Sequence, residues 1–304
     1  MRQRRNGGPR EAGQLRPLSR RGPITRAAQP AADARARALL GYLRKYVFVP
    51  GYRPEEALCL QTADGLRLGG AQLEGPVDAF ATVVLVHGLV HSSRTPRIHA
   101  FAHLLAREVH VVVPELRGHG VSEGVSTLGR DEPLDVAAAV AAARPGLPVV
   151  TVGISLGGAA VLLHAGTYGG VAGVVAVSSP AWWGAWDTEA TQRVQRYATT
   201  RAGRAVLSRV LRTRIAAVCE GVPDARDVVG AIAPAFTLIV HDPEDHYFAR
   251  EHAETLYEWA HDPKAVWWED GAGHGTDLLT PAFAARLLAD LRARVSSPRG
   301  VAGR

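Results

Sequence analysis

The chain has 304 residues, 47% hydrophobic and 21% charged, an ordinary globular mixture long enough for one large α/β domain with a buried core. Its net charge of +6 is unevenly placed, because residues 1–37 hold ten arginines against Glu11 and Asp33, a net +8, and the remainder carries −2. A basic folded body that would grip nucleic acid is thereby excluded, two cysteines are too few for a secreted disulfide framework, and no stretch reaches the roughly 18 apolar residues of a membrane span.

Residues 1–37 are rich in Arg, Pro, Gly, Gln and Ala, show no apolar periodicity, and read as a disordered tail. Their arginine pairs are not followed by the apolar run of an export signal, so a cytoplasmic location is expected. The tail has no aromatic interleaving and supports non-specific attraction to nucleic acid at most. The folded domain is expected over 38–297, with a second short tail at 298–304. Leu39 to Val47 fits an amphipathic helix. Leu58 to Thr62 and Leu66 to Leu73 read as strands joined by a turn at Ala63-Asp64-Gly65.

Alternation follows. Strands are expected at Ala81–Val86, Val109–Val113, Val149–Val152, Val171–Val177, Phe236–Val240 and Val266–Trp268. Helices are expected at Ile98–Arg107, Leu134–Ala143, Leu156–Tyr168, Ala249–Ala260 and Phe283–Val295. Continuous Val, Leu and Ile strands alternating with helices mean a mostly parallel sheet covered on both faces, with the early hairpin on one edge. The stretch Ala181–Pro234 breaks the rhythm, is helical in parts (Thr191 to Arg214), and reads as a lid insertion. Cys59 and Cys219 are expected to be buried thiols.

The strongest chemical signal is Gly153-Ile154-Ser155-Leu156-Gly157-Gly158, set between a Val-rich strand and an amphipathic helix. A G-x-S-x-G on a strand-to-helix turn is a nucleophile elbow, with glycines where side chains would collide and free helix N–H groups near the serine. Val84-Leu85-Val86-His87-Gly88-Leu89 is a second buried strand running into a loop, and His87 reads as a residue shaping that loop. His99 and His103 lie one helical turn apart and could share a metal, but the E-x-x-H context is absent, so they read as a half-exposed helix face and no metal is expected. Trp182, Trp183 and Trp186 open the insertion; they either line an apolar acyl pocket or anchor the insertion to the body.

Together with Pro114-Glu115-Leu116-Arg117-Gly118-His119-Gly120-Val121-Ser122, these motifs resemble the α/β-hydrolase superfamily, and in particular its monoacylglycerol-lipase-like and serine-aminopeptidase-like branches, over roughly Arg53 to Ala293. The resemblance implies an α/β-hydrolase fold and a triad in the order serine, acid, histidine. Ser155 would be the nucleophile, and the backbone amides of Leu89 and Leu156 the oxyanion hole. His274, in Gly271-Ala272-Gly273-His274-Gly275, would be the base. The acid falls in the loop His241-Asp242-Pro243-Glu244-Asp245-His246, where family spacing selects Asp245, with Asp242 and Glu244 as alternatives. A small-molecule carboxylic ester is the implied substrate, with no cofactor; a peptidase or a non-catalytic member of the fold are the rivals. Oligomeric state stays open.

Overall fold

The computed structural model describes residues 56–184, 188–217 and 220–296. The expected tails, the Leu39–Val47 helix, Trp186 and Cys219 lie outside the described residues.

In chain order the hairpin β1 (Ala57–Gln61) and β2 (Arg67–Leu73) leads to β3 (Thr82–Val86), α1 (Pro96–Leu105), β4 (His110–Pro114), α2 (Glu132–Ala141), β5 (Val149–Ile154), α3 (Leu156–Tyr168) and β6 (Gly173–Val177). The insertion holds α4 (Glu189–Thr199), α5 (Arg201–Val210) and the short α6 (Arg226–Val229). After it come β7 (Phe236–His241), α7 (Arg250–Trp259), β8 (Lys264–Trp268) and α8 (Pro281–Ser296). One eight-stranded sheet runs β1-β2-β4-β3-β5-β6-β7-β8. β1, β2 and β4 pair antiparallel, and β4 through β8 are parallel neighbours. This is the α/β-hydrolase fold.

Pleating explains why the central strands are apolar along most of their length rather than alternating with polar residues. Along β3, Val83 and Leu85 point into one core with Phe101 of α1 and Leu287 of α8. Val84 and Val86 point into the other with Val136 of α2 and Leu162 of α3. Both faces are covered, so both alternating sets of side chains are drawn mainly from apolar residues, with Thr82, Thr151 and Thr237 among the buried polar exceptions.

One expectation needs correction, and several element bounds shift slightly. Cys59 is exposed. It lies on the edge strand, where pleating turns the flanking Leu58 and Leu60 toward the core and Cys59 away from it. The part of the insertion expected to be helical, Thr191 to Arg214, holds two helices parted at Thr200, which is extended (ψ 144°) and whose hydroxyl caps α5 by accepting from the Gly203 amide. α2 begins at Glu132, two residues early, with Pro133 in its first turn, where a missing N–H costs nothing.

Candidate active site

The chain switches direction between β3 and β5: β4 lies on one side of β3 and β5 on the other. Crevices at the carboxyl ends of strands flanking such a switch are where open α/β sheets place ligands. β5 ends in the elbow. Ser155 has φ 54° and ψ −116°, a strained conformation for a residue with a side chain, and its amide donates to Val177 O at 2.8 Å.

The two elbow glycines have identifiable causes. A Cβ on Gly157 would stand 2.4 Å from the Val86 carbonyl oxygen, and one on Gly153 would stand 2.2 Å from the Gly157 oxygen. Both obstacles are backbone and cannot swing aside. Gly157→Ala is therefore expected to destabilise the fold by about 1–3 kcal/mol, lowering the thermal midpoint by about 2–10 °C. Differential scanning calorimetry checks this, and an unchanged midpoint would remove the steric reading.

Residue 274 stands in the loop after β8, between glycines at φ 88° (Gly273) and φ 59° (Gly275). Its Nε2 lies 3.1 Å from Ser155 Oγ and its Nδ1 2.6 Å from Asp245 Oδ2. The other Asp245 oxygen accepts the Tyr247 amide at 2.8 Å and the Phe248 amide at 3.4 Å. Burial alone would raise the Asp245 carboxyl, but the His274 ring and the Tyr247 amide outweigh it and hold the group below its ordinary value. An ionised Asp245 accepts a hydrogen bond from Nδ1–H and so keeps the proton on Nδ1, which leaves Nε2 free to accept from the serine hydroxyl.

Ser155, His274 and Asp245 thus form one hydrogen-bonded line. The alternative carboxylates do not join it. Glu244 is exposed. Asp242 is buried and serves the backbone instead: its oxygens accept the amides of Gly273 at 2.6 Å, Gly271 at 3.3 Å and Glu244 at 3.0 Å.

The loop after β3 reaches the elbow because Val86 pairs with Gly153. A Cβ on Gly88 would stand 3.2 Å from Ser155 Cβ. Leu89 follows immediately, and Leu156 is the first residue of α3, whose amide has no intrahelical acceptor. His87 is fully buried and bridges two loops: Nε2 accepts the Leu116 amide at 3.1 Å, so the Nδ1 proton is donated to Gly88 O at 2.8 Å.

Its ring sits 5.0 Å from that of His119, also fully buried. Burial lowers His87 to about 4, against a smaller pull from the Gly88 carbonyl; burial and the His87 ring lower His119 to about 3. The unfolded chain binds these protons near pH 6.5, whereas the fold resists them until far more acid conditions. Stability from this pair is fully present above about pH 6.5 and is lost as pH falls toward 4 and 3. The expected slope is about 1.4 kcal/mol per pH unit for each histidine. Urea unfolding from pH 8 to 5 measures it, and a midpoint that does not fall below pH 6.5 would contradict it.

A cavity of about 240 Å³ opens above Ser155 and His274. Leu128, Ile154, Val194, Leu207 and Phe248 give it an apolar border, with Arg193 and Tyr197 contributed by α4. Trp182 and Trp183 both border it, and both are also fixed to the body. Trp182 stacks on His252 at 3.9 Å, and the Trp183 amide donates to Asp224. The two sequence readings of these tryptophans are therefore compatible.

Sequence reasoning missed the supports of the histidine loop. Besides Asp242, Ser178 Oγ accepts the Gly275 amide at 3.0 Å, and Arg97 donates to Thr276 O at 3.1 Å and pairs with Asp277. The Tyr247 ring packs 4.4 Å from the imidazole. Asp242 alone had a sequence signal, its place in the acidic loop after β7.

Among curated protein sequences none matches the chain. Solved structures do. An esterase of Pyrococcus furiosus superposes with TM-score 0.62 at 17% identity, covering 82% of this chain and 96% of that one. A Rhodococcus esterase superposes with TM-score 0.59 at 20% identity, covering 80% and 99%. A thermophilic esterase of Thermogutta terrifontis gives TM-score 0.56 at 21% identity, covering 78% and 97%. At these identities the likeness is one of fold. Residues 83–302 match the alpha/beta hydrolase family, a span that takes in β3, the elbow, the acidic loop and the histidine loop, and the chain belongs to that family.

Proposed function

We propose that the chain hydrolyses carboxylic esters with an apolar acyl group through an acyl-enzyme intermediate. The observation that carries this reading is the hydrogen-bonded line Ser155–His274–Asp245 at the floor of an apolar cavity. Ser155 Oγ attacks the ester carbonyl while His274 Nε2 takes its proton, and Asp245 stabilises the imidazolium. The amides of Leu89 and Leu156 receive the negative charge that appears on the carbonyl oxygen, a contribution worth about 10²–10³ in rate for each donor. His274 then gives its proton to the departing alkoxide. A water, deprotonated in turn by His274, attacks the acyl-serine, and His274 returns that proton to Ser155 Oγ as the acid leaves. Each step is an acyl or proton transfer that these groups supply themselves.

Trp182 and Trp183 face the acyl group in this reading. An aminopeptidase would need a carboxylate near the site to hold a substrate ammonium. Among the described residues the cavity border carries Arg193 and no Asp or Glu, which favours the ester. Reaction with a fluorophosphonate probe, run beside hydrolysis of a 4-nitrophenyl ester, tests the proposal. Stoichiometric labelling at Ser155 is expected, and an unlabelled folded protein would point to a binding member of the fold.

A further inference from the structure

Away from the elbow, helix α1 carries His99 and His103 at i and i+4, which places both on one flank of the helix. The sequence alone gives them no third partner. The fold does: Glu56, one residue before β1, meets the same flank. The two Nε2 atoms lie 3.3 Å apart. One oxygen of Glu56 is 3.8 Å from His99 Nε2 and the other 3.6 Å from His103 Nε2.

Those distances are informative. Carboxylate-to-imidazole separations of 3.6 and 3.8 Å are beyond hydrogen-bond range. They are close to what ligands of one ion require. Bonds of about 2.0–2.1 Å at a tetrahedral centre put two ligand atoms about 3.3–3.4 Å apart, and each imidazole has one Glu56 oxygen within a few tenths of an ångström of that separation. The Glu56 carboxylate is nearly buried, whereas His99 and His103 are partly exposed. The last position of a four-coordinate ion would fall to the second Glu56 oxygen or to a solvent molecule.

We propose that Glu56, His99 and His103 bind a divalent transition metal, with zinc the best fit to two imidazoles and one carboxylate. The ion ties the chain entering β1 to α1, the helix whose Arg97 also braces the histidine loop. It takes no part in ester cleavage. The rival is a hydrogen-bonded histidine pair with a carboxylate nearby and no affinity for metal.

The test uses the full chain freed of any affinity tag and Zn²⁺ alone as probe, measured by equilibrium dialysis with elemental analysis. One equivalent is expected to bind, and Co²⁺ in its place is expected to give the visible absorption of a tetrahedral site. His99→Ala, His103→Ala and Glu56→Gln should each weaken binding about 100-fold or more while leaving ester hydrolysis intact, which doubles as the check on folding. Should His99→Ala fail to fold, the more exposed His103→Gln carries the test. His274→Ala should bind zinc as the unaltered chain does. No saturable binding at about 100 μM zinc, or equal binding by the His99/His103 double variant, would overturn the site.

Discussion

Ser155→Ala and His274→Ala are each expected to lower kcat for a 4-nitrophenyl ester by about 10⁴- to 10⁶-fold, with little change in thermal midpoint. The serine is the only hydroxyl presented to the cavity by a strained strand-to-helix turn among the described residues, and its hydrogen-bond partner is His274 Nε2. Removing either member disables the pair, so the two losses should be similar and the double variant little worse than either alone. Fluorophosphonate labelling separates them further. Ser155→Ala should not label at all, whereas His274→Ala should label slowly, because the hydroxyl remains but lacks its base. Activity above a few per cent in a folded variant, or additive losses in the double variant, would sink the proposed roles. Relief of strain at residue 155 is a minor effect here, since alanine keeps the Cβ that makes φ 54° costly.

What was legible in the sequence follows from what is local. The runs Thr82–Val86, Val149–Ile154 and Phe236–His241 are dominated by apolar residues because their strands are buried on both faces, so they announce themselves. The elbow is legible for the same reason: Gly153 and Gly157 answer a clash within a few residues and one neighbouring strand. The break at Thr200 is local too, yet a threonine between two helical stretches also fits one continuous helix, and the backbone decides. Cys59 was misread because an edge strand has one wet face, and composition does not say which. Least legible were contacts between distant segments. Glu56 meets His99 and His103 only once the residue before the edge strand β1 and the flank of α1 have been brought together by the fold, and Asp242 meets Gly271 and Gly273 only once two loops have folded against each other.

The acidic loop provides the sharpest remaining discrimination. Asp245→Asn is expected to cost about 10⁴ in kcat, and the structure shows how. Asp245 Oδ1 accepts the Tyr247 amide, so an asparagine there keeps its oxygen on that side and turns its NH₂ group toward His274 Nδ1. The imidazole must then accept at Nδ1 and carry its proton on Nε2, facing Ser155 Oγ as a donor when a base is needed. Asp242→Asn acts differently. Whichever way that amide turns, its NH₂ group confronts at least one of the Gly271, Gly273 and Glu244 amides, which loses a hydrogen bond to a charged acceptor worth about 1.5–3 kcal/mol. The expected result is a lowered thermal midpoint and a fall in kcat of about 10- to 100-fold as the histidine loop loosens. Asp245→Asn should instead leave the midpoint nearly unchanged. Both substitutions are nearly isosteric, so the contrast reports charge and proton placement rather than volume. A larger loss of kcat from Asp242→Asn than from Asp245→Asn would reassign the acid three residues upstream. Equal small losses would mean that the tautomer of His274 is set by some other group, and the role given to Asp245 would fall.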